Sequence, residues 1–255
     1  MRITLDSATR TFEVDDSGTL SHHDLFSKEA FAILSDLWVR LGWVQKYSYG
    51  FTWLGRPIIQ MPEDMVRLQE AIVATQPDII IETGIAHGGS VVFCASICEM
   101  LGKGQVIGID VEIRFHNREA IEAHPMVKRI TMIEGSSIDP VIVSQVRSMV
   151  SPSQRVLLIL DSNHSRAHVE AELEAYSDLV APGGLILVQD GVMQLVAGMP
   201  RTGGDWVTNN PISAIKAFLD RHPEFEACGP PRPFDETLGT PDNSHHPSGW
   251  LRRRT

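Results

Sequence analysis

Five short apolar segments between residues 78 and 190 constrain the fold more than any other feature of the chain. Each segment is apolar on both faces, is bounded by turn residues, and ends in an aspartate or a glutamate. They cover residues 78–82, 105–110, 129–134, 156–161 and 184–190. Such segments are typical of strands in a parallel sheet that helices cover on both faces.

The segments between these predicted strands have apolar residues at helical spacing. They cover residues 88–101, 117–123, 140–150 and 167–180. Strands that alternate with helices along a chain build a parallel sheet through right-handed crossover connections. The sequence therefore predicts an α/β fold with a mostly parallel, doubly wound, Rossmann-like sheet.

The chain beyond the fifth strand is predicted to close this sheet. Residues 211–221 have helical spacing, and residues 224–228 and 249–253 fit an antiparallel pair of strands. A proline-rich segment, residues 229–248, lies between the two. Loops of that length in compact domains usually carry function or move, so we expect acceptor selectivity or subunit contacts there.

The first seventy residues differ in character from the rest. Helical spacing over residues 25–44 and 61–75 predicts a helical extension, residues 1–70, ahead of a cofactor-binding domain, residues 71–255. Six aromatic residues cluster in this region: Trp38, Trp43, Tyr47, Tyr49, Phe51 and Trp53. Aromatic residues at this density are typical of a core or an oligomer interface, and the alternative is a substrate-binding wall.

Charge and cysteine content disfavour several classes of partner. With 32 acidic and 22 basic residues, the formal charge of −10 argues against nucleic acid and anionic membranes. Three cysteines without a CxxC pair argue against a disulfide framework. No apolar stretch reaches the ~20 residues of a membrane span, and the polar start lacks the apolar region of a signal peptide. We expect a cytoplasmic homo-oligomer that acts on a small molecule.

The first predicted strand runs into a glycine-rich turn, residues 82–90, that opens a helix. Its glycines, at positions 84, 88 and 89, let the backbone approach a ligand at the helix N-terminus. Dinucleotide sites favour G-x-G-x-x-G, and the spacing found here suits a nucleoside that carries an amino acid. The predicted cofactor contacts are Glu82, Thr83, Gly84, Gly88 and Ser90. The alternative is an ordinary glycine turn after the first strand of an α/β sheet.

Two residues on the neighbouring strands extend this predicted site. Asp110 ends the second strand, where a carboxylate can accept both ribose hydroxyls of a nucleoside. Ser136 follows the third strand and is predicted to hydrogen-bond the adenine end of the cofactor. The alternative for Ser136 is an ordinary loop serine.

Polar residues follow the fourth and fifth strands: Asp161 and His164 on one, Gln189 and Asp190 on the other. Because the carboxyl ends of neighbouring parallel strands meet at one edge, the two aspartates are expected to lie close together. Paired carboxylates repel each other unless a proton or a cation separates them, and oxygen ligands suit Mg²⁺. His164 is placed to take a proton from a substrate hydroxyl. The alternatives are acids that cap turns and a surface histidine.

These stretches together resemble the cephalosporin hydroxylase family of methyltransferase-fold proteins, which includes rhamnosyl O-methyltransferases. The matching residues are 53–57, 82–90, 106–110, 161–164 and 188–190. The resemblance implies the class I methyltransferase fold, bound S-adenosylmethionine, and Mg²⁺ with ligands at Asp161, Gln189 and Asp190. The family often has glutamate before the last aspartate. Gln189 can still ligate through its amide oxygen, although it brings no charge.

The sequence analysis thus predicts an S-adenosylmethionine-dependent, Mg²⁺-assisted O-methyltransferase of natural-product biosynthesis. The predicted acceptor is a sugar hydroxyl, for example on a deoxysugar such as rhamnose, linked to a nucleotide or present in a glycoside. Asp161 and His164 are the predicted catalytic residues, and Asp161 also contacts the cofactor. The alternatives are an NAD-dependent oxidoreductase and a non-catalytic subunit that binds the cofactor.

Overall fold

A computed structural model describes all residues, 1–255, and its N-terminal part corrects one prediction. Three antiparallel strands come first: β1 (Arg2–Asp6), β2 (Thr11–Asp16) and β3 (Thr19–Asp24). They are followed by helix α1 (Lys28–Val44). The prediction that residues 1–70 form a helical extension is therefore wrong for residues 2–24. Alternation explains the difference, because Phe12 and Val14 are buried against Ala30 while Glu13 faces outward.

The next elements connect this extension to the main body. A short hairpin, β4 (Phe51–Trp53) and β5 (Arg56–Ile58), precedes helix α2 (Pro62–Thr75). Proline at the first helical position suits the start of α2, because the N–H that it lacks would have no partner there. Leu68 and Ile72 of α2 are buried in the main core. Helix α2 therefore packs as part of the sheet domain, across the predicted division at residue 70.

Seven strands form the main sheet, and the prediction of a mostly parallel, doubly wound α/β fold is confirmed. They are β6 (Ile79–Thr83), β7 (Gln105–Asp110), β8 (Ile130–Glu134), β9 (Val156–Leu160), β10 (Leu185–Val188), β11 (Phe225–Ala227) and β12 (Trp250–Arg253). Their spatial order is β11-β12-β10-β9-β6-β7-β8. Strands β6 to β10 are mutually parallel, and β12 runs antiparallel to both of its neighbours.

Six helices accompany these strands: α3 (Gly89–Leu101), α4 (Phe115–Glu122), α5 (Pro140–Ser148), α6 (Arg166–Tyr176), α7 (Val192–Val196) and α8 (Pro211–Arg221). All but α7 coincide with predicted segments. The sheet separates two large apolar clusters of 21 and 20 buried residues, which explains why the strands are apolar on both faces. No helix has the length and apolar character needed to cross a membrane.

The parallel strands place their carboxyl ends along one edge of the sheet. In the hydrogen-bonded register, Glu82 of β6 pairs with Gly108 of β7 and Ile159 of β9. The residues that the sequence singled out follow these strands and therefore gather at this edge, as predicted for an open α/β sheet.

Candidate functional site

The turn between β6 and α3 is held in an unusual backbone conformation. Gly84 has φ of 93°, and a Cβ there would come within 2.0 Å of the carbonyl oxygen of Asp161. Gly88 has φ of 83°, and a Cβ would meet Ile121 at 2.5 Å. Only glycine satisfies both the positive φ and the close approach at these positions. The glycines are thus required by the packing of the turn itself, whatever ligand it binds.

Asp110 fixes the shape of this turn. Its Oδ2 accepts hydrogen bonds from the backbone N–H groups of Ile85, at 2.8 Å, and Ala86, at 3.0 Å. Its Oδ1 accepts from the N–H of Glu112 at 3.1 Å. A carboxylate oxygen accepts more than one hydrogen bond, so Asp110 can hold the turn and still receive a ribose hydroxyl from the cleft that it lines.

The hairpin β4–β5 lies over the same turn. It contains residues 53–57, one of the stretches that resemble the family. Arg56 donates to the carbonyl oxygen of His87 and to Oδ1 of Asn117, in both cases with a contact at 3.0 Å. A Cβ on Gly89 would come within 2.1 Å of the carbonyl oxygen of Pro57. The hairpin therefore packs backbone to backbone on the start of α3.

Glu82 and Thr83 lie beneath the turn and are fully buried. Ser90 donates a hydrogen bond to Glu82, and burial raises the pKa of Glu82 to about 7. The hydroxyl oxygen of Thr83 lies 3.3 Å from the backbone nitrogen of Asp161 and accepts from it. Of the predicted cofactor contacts, these two residues support the site from below and do not line it. Gly84 lines both cavities at this edge of the sheet, whereas Ser90 lines only the cavity that contains His164 and Asp190.

A cleft of about 380 Å³ opens beside the turn, over the ends of β7, β8 and β9. It is lined by Gly84, Asp110, Ser136 and Asp161, all of which the sequence assigned to cofactor binding. Gly88 does not line the cleft. Its shape and its acidic and hydroxyl groups suit a nucleoside laid across the strand ends.

A buried network behind this cleft was not predicted from the sequence. Glu172 on α6 is fully buried, and its Oε1 accepts from the hydroxyls of Ser137, at 2.5 Å, and Ser162, at 2.6 Å. Nε2 of His168 lies 3.2 Å from both hydroxyl oxygens. Two loops of the cleft are thereby tied to one helix. The only signal in the sequence was the i, i+4 spacing of His168 and Glu172 within a predicted helix.

Asp161, His164 and Asp190 come together as predicted. Nε2 of His164 lies 3.3 Å from Oδ2 of Asp190 and 3.9 Å from Oδ1 of Asp161. One ligand atom from each residue falls within 4.8 Å of the others. Burial, followed by the charge of Asp190, raises the pKa of Asp161 well above its ordinary value. The group can therefore take up a proton or a cation between its carboxylates.

Asp161, His164 and Asp190 together form a possible site for a divalent metal ion. Two carboxylates and an imidazole nitrogen converge at the half-buried end of the sheet. A cation between them would relieve the repulsion by Asp190, which adds to burial in raising the pKa of Asp161. His164 can stay near Asp190 as a ligand or as a base, because an imidazole nitrogen serves either role.

Gln189 is placed differently from the aspartates. It is buried, its Oε1 accepts a hydrogen bond from Nε2 of Gln60 at 3.2 Å, and its own Nε2 has no partner. Its oxygen keeps a second lone pair. The predicted role of Gln189 as a metal ligand therefore stays a prediction.

A second cavity, of about 230 Å³, lies on the other side of Asp161. Asp161, His164 and Asp190 form one part of its lining, and Trp43, Tyr49, Gln60 and His245 form another. The aromatic residues of the N-terminal region therefore have two kinds of position. Trp43 faces the site and stacks edge-on with His245, whereas Trp53 packs against Phe93 in the core and donates to Ser96.

Comparisons with known proteins show which family the chain matches. The profile of the rhamnosyl O-methyltransferase/CmcI family matches residues 45–254. A rhamnosyl O-methyltransferase of Mycobacterium tuberculosis is 29% identical over 177 residues, which are 68% of this chain and 67% of that protein. A demethylmacrocin O-methyltransferase of Streptomyces fradiae is 29% identical over 103 residues, 40% of this chain and 23% of that protein.

A solved structure shares the fold. A CmcI structure described with Mg and SAM superposes with a TM-score of 0.55 at 17% identity, over 81% of this chain and 78% of that one. At this identity the likeness concerns the fold alone.

Proposed function

The chain belongs to the rhamnosyl O-methyltransferase/CmcI family and is an S-adenosylmethionine-dependent O-methyltransferase; on this premise we propose that it methylates a hydroxyl group of a sugar. The observation that carries the proposal is the position of Asp161, which lines both cavities at the sheet edge. A methyl donor in one cavity and an acceptor in the other would meet there.

The cleft over the ends of β7, β8 and β9, from here on the nucleoside cleft, supports binding of S-adenosylmethionine. Asp110 would receive the ribose hydroxyls, Ser136 the adenine end, and the backbone of the Gly84 turn the remainder of the donor. The sulfonium centre supplies the methyl group and the leaving group, so the protein has to position the two reactants and exclude water.

Asp161 and Asp190 would hold Mg²⁺, with Gln189 as a proposed third ligand. When bound, the ion lowers the pKa of an acceptor hydroxyl. His164 lines the second cavity and lies 3.3 Å from Asp190, so its Nε2 would accept the hydroxyl proton of an acceptor bound there.

The second cavity supports a sugar as the acceptor. Trp43 and Tyr49 offer aromatic faces for the apolar face of a sugar ring, and Gln60 and His245 offer polar atoms for its hydroxyls. The family name and the mycobacterial relatives favour a deoxysugar such as rhamnose. The proposed setting is natural-product biosynthesis, with the sugar linked to a nucleotide or present in a glycoside.

We also propose assembly into a homo-oligomer through α1. Phe31, Trp38 and Leu41 on this helix are exposed, and exposed apolar side chains at this density are typical of an interface. Light scattering behind size exclusion tests this: a mass of 28.2 kDa, that of one chain, would contradict it.

The central experiment is mass spectrometry of nucleotide sugars and glycosides incubated with labelled S-adenosylmethionine and Mg²⁺. A labelled methyl ether on a sugar hydroxyl is the expected product. Label that appears only on non-sugar acceptors would reject the sugar assignment. An absence of turnover despite binding of the donor would favour a non-catalytic subunit.

A further inference from the structure

Asp190 adopts a left-handed backbone conformation. Its φ is 59°, in the left-handed region, which aspartate adopts more readily than most residues other than glycine. It lies between the end of β10 and the start of α7. Several neighbouring groups contact this turn and fix its position.

His246 is the side chain that contacts the backbone of Asp190. The N–H of Asp190 donates to Nδ1 of His246 at 3.0 Å. Since Nδ1 accepts this bond, the ring proton belongs on Nε2. His246 is only 5% exposed, and its Nε2 faces Oδ2 of Asp64 at 3.6 Å. The imidazole thus stands between Asp64 and the residue that bears one of the site carboxylates.

Asp64 anchors the loop segment that carries His246. It is 5% exposed, and its carboxylate accepts from the Ser244 hydroxyl at 2.5 Å and from the His245 N–H at 2.9 Å. The Ser244 oxygen in turn accepts from the N–H of His246 at 2.8 Å. The backbone of this loop segment is therefore tied to the first turn of α2, whereas Nε2 of the His246 ring makes no hydrogen bond.

The backbone around this segment is packed as tightly as the glycine turn. A Cβ on Gly191 would come within 2.6 Å of the carbonyl oxygen of Pro247, and a Cβ on Gly249 within 2.2 Å of that of Val188. Both ends of the Asp190 turn are therefore pressed against the same loop segment, which leaves little room for Asp190 to relax.

We propose that His246, anchored through Asp64, is a positioning residue that sets the Asp190 carboxylate against Asp161 and His164 for Mg²⁺ binding. This inference rests on the proposed function. The two adjacent histidines then have different roles. His245 lines the second cavity, which is proposed to bind the acceptor, and His246 accepts a hydrogen bond from the backbone of Asp190. Groups that orient a metal ligand typically change metal affinity about 10- to 100-fold when they are removed.

The test compares three variants by calorimetric titration of the purified full chain with Mg²⁺ alone. His246→Ala removes the acceptor for the Asp190 N–H, and we expect Mg²⁺ binding weaker by about 10- to 100-fold. His246→Asn places an amide oxygen where Nδ1 stood, and we expect affinity near that of wild type. His222→Ala, which removes a histidine paired with Glu174 and Glu224 at the opposite edge of the sheet, should leave Mg²⁺ binding unchanged.

A second titration, with S-adenosylmethionine, separates positioning from general damage to the fold. Its affinity should be the same in wild type and His246→Ala, because the nucleoside cleft does not include His246. If His246→Ala does not fold, His246→Gln replaces it, since its longer side chain keeps polarity but cannot put an acceptor at the Nδ1 position.

Three results would overturn the inference. They are equal Mg²⁺ affinity in wild type and His246→Ala, weak binding by His246→Asn, or a parallel loss of affinity for S-adenosylmethionine. Wild type that binds no Mg²⁺ would instead reject the metal in the proposed function, and with it this role of His246.

Discussion

The two sides of Asp161 are built in different ways. On the nucleoside side, Asp110 holds the Gly84 turn and Glu172 holds Ser137 and Ser162, all within consecutive strand–helix units of the sheet. On the acceptor side, Asp190 is held by His246 of the final loop, and the segment that carries His246 is held by Asp64 of α2. The donor side is thus supported by the fold itself, and the reacting side by segments wrapped around it.

Asp161 is common to both sides, and its replacement has the largest expected effect. Asp161→Asn removes a metal ligand, so we expect a loss of kcat/KM of about a hundredfold or more with labelled donor and sugar acceptor. The same change removes the repulsion with Asp190, so the melting temperature of the metal-free protein should rise.

The control for Asp161→Asn is Asp178→Asn, which breaks an exposed ion pair with Arg147 and should leave kcat/KM unchanged. An Asp161→Asn variant as active as wild type, with or without EDTA, would rule out metal assistance.

Gly84→Ala tests how rigid the donor side is. The new Cβ would lie 2.0 Å from a backbone oxygen in a conformation that disfavours alanine, and we expect a loss of about 3 kcal/mol in the free energy of unfolding. Gly55→Ala is a matched control, because Gly55 has φ of 85° but open space around it. Denaturation curves measure both. Equal losses would mean that the turn can move away from Asp161.

Glu82→Gln tests the buried carboxylate beneath the turn. The pKa of Glu82 is raised from 4.5 to about 7 in the folded protein. Between pH 4.5 and pH 7, this carboxyl group therefore binds a proton more fully in the folded protein than in the unfolded chain. Stability contributed at this position therefore falls as pH rises through that range. We expect Glu82→Gln to be more stable than wild type by about 2 kcal/mol near pH 8, and no more stable near pH 5. A pH-independent difference in urea denaturation would contradict this.

Glu172→Gln has the smallest expected effect and sharpens the contrast between the sides. It weakens the bonds from the Ser137 and Ser162 hydroxyls, by about 1 kcal/mol in total, so the dissociation constant of S-adenosylmethionine should rise about fivefold. Calorimetry should show unchanged Mg²⁺ binding. Glu170→Gln, on the exposed face of the same helix, is the control. Weaker Mg²⁺ binding in Glu172→Gln would mean that the two sides are coupled.

The ends of the parallel strands could be predicted from the sequence because their signals are local. An apolar run that ends in an acid marks a strand end, and the topology of parallel strands brings Asp110, Asp161 and Asp190 to one edge. The pairing of residues 224–228 with 249–253 followed from the same reasoning. The strands at residues 2–24 were missed, because the alternation around Phe12 is short and faces a small cluster.

The supports of the acceptor side could not be predicted. Asp64 is one of two acids in the first turn of α2, a common position for acids, and nothing in the local sequence distinguishes the role of His246 among ten histidines. Their contacts depend on how a long loop returns to the sheet, which no periodicity encodes. The bond between Gln60 and Gln189 is hidden for the same reason.

The position of β12 between β10 and β11 also orders events in time. The strands β10 and β11 have no direct hydrogen bonds to each other, so β11 joins the sheet only when residues 250–253 pair with both. Since a chain is synthesised from its N-terminus, the nucleoside cleft can assemble before that segment emerges. The support of Asp190 by His246 also needs residues close to the end of the chain, so a nascent chain would gain a place for the donor before it gains a place for the reaction.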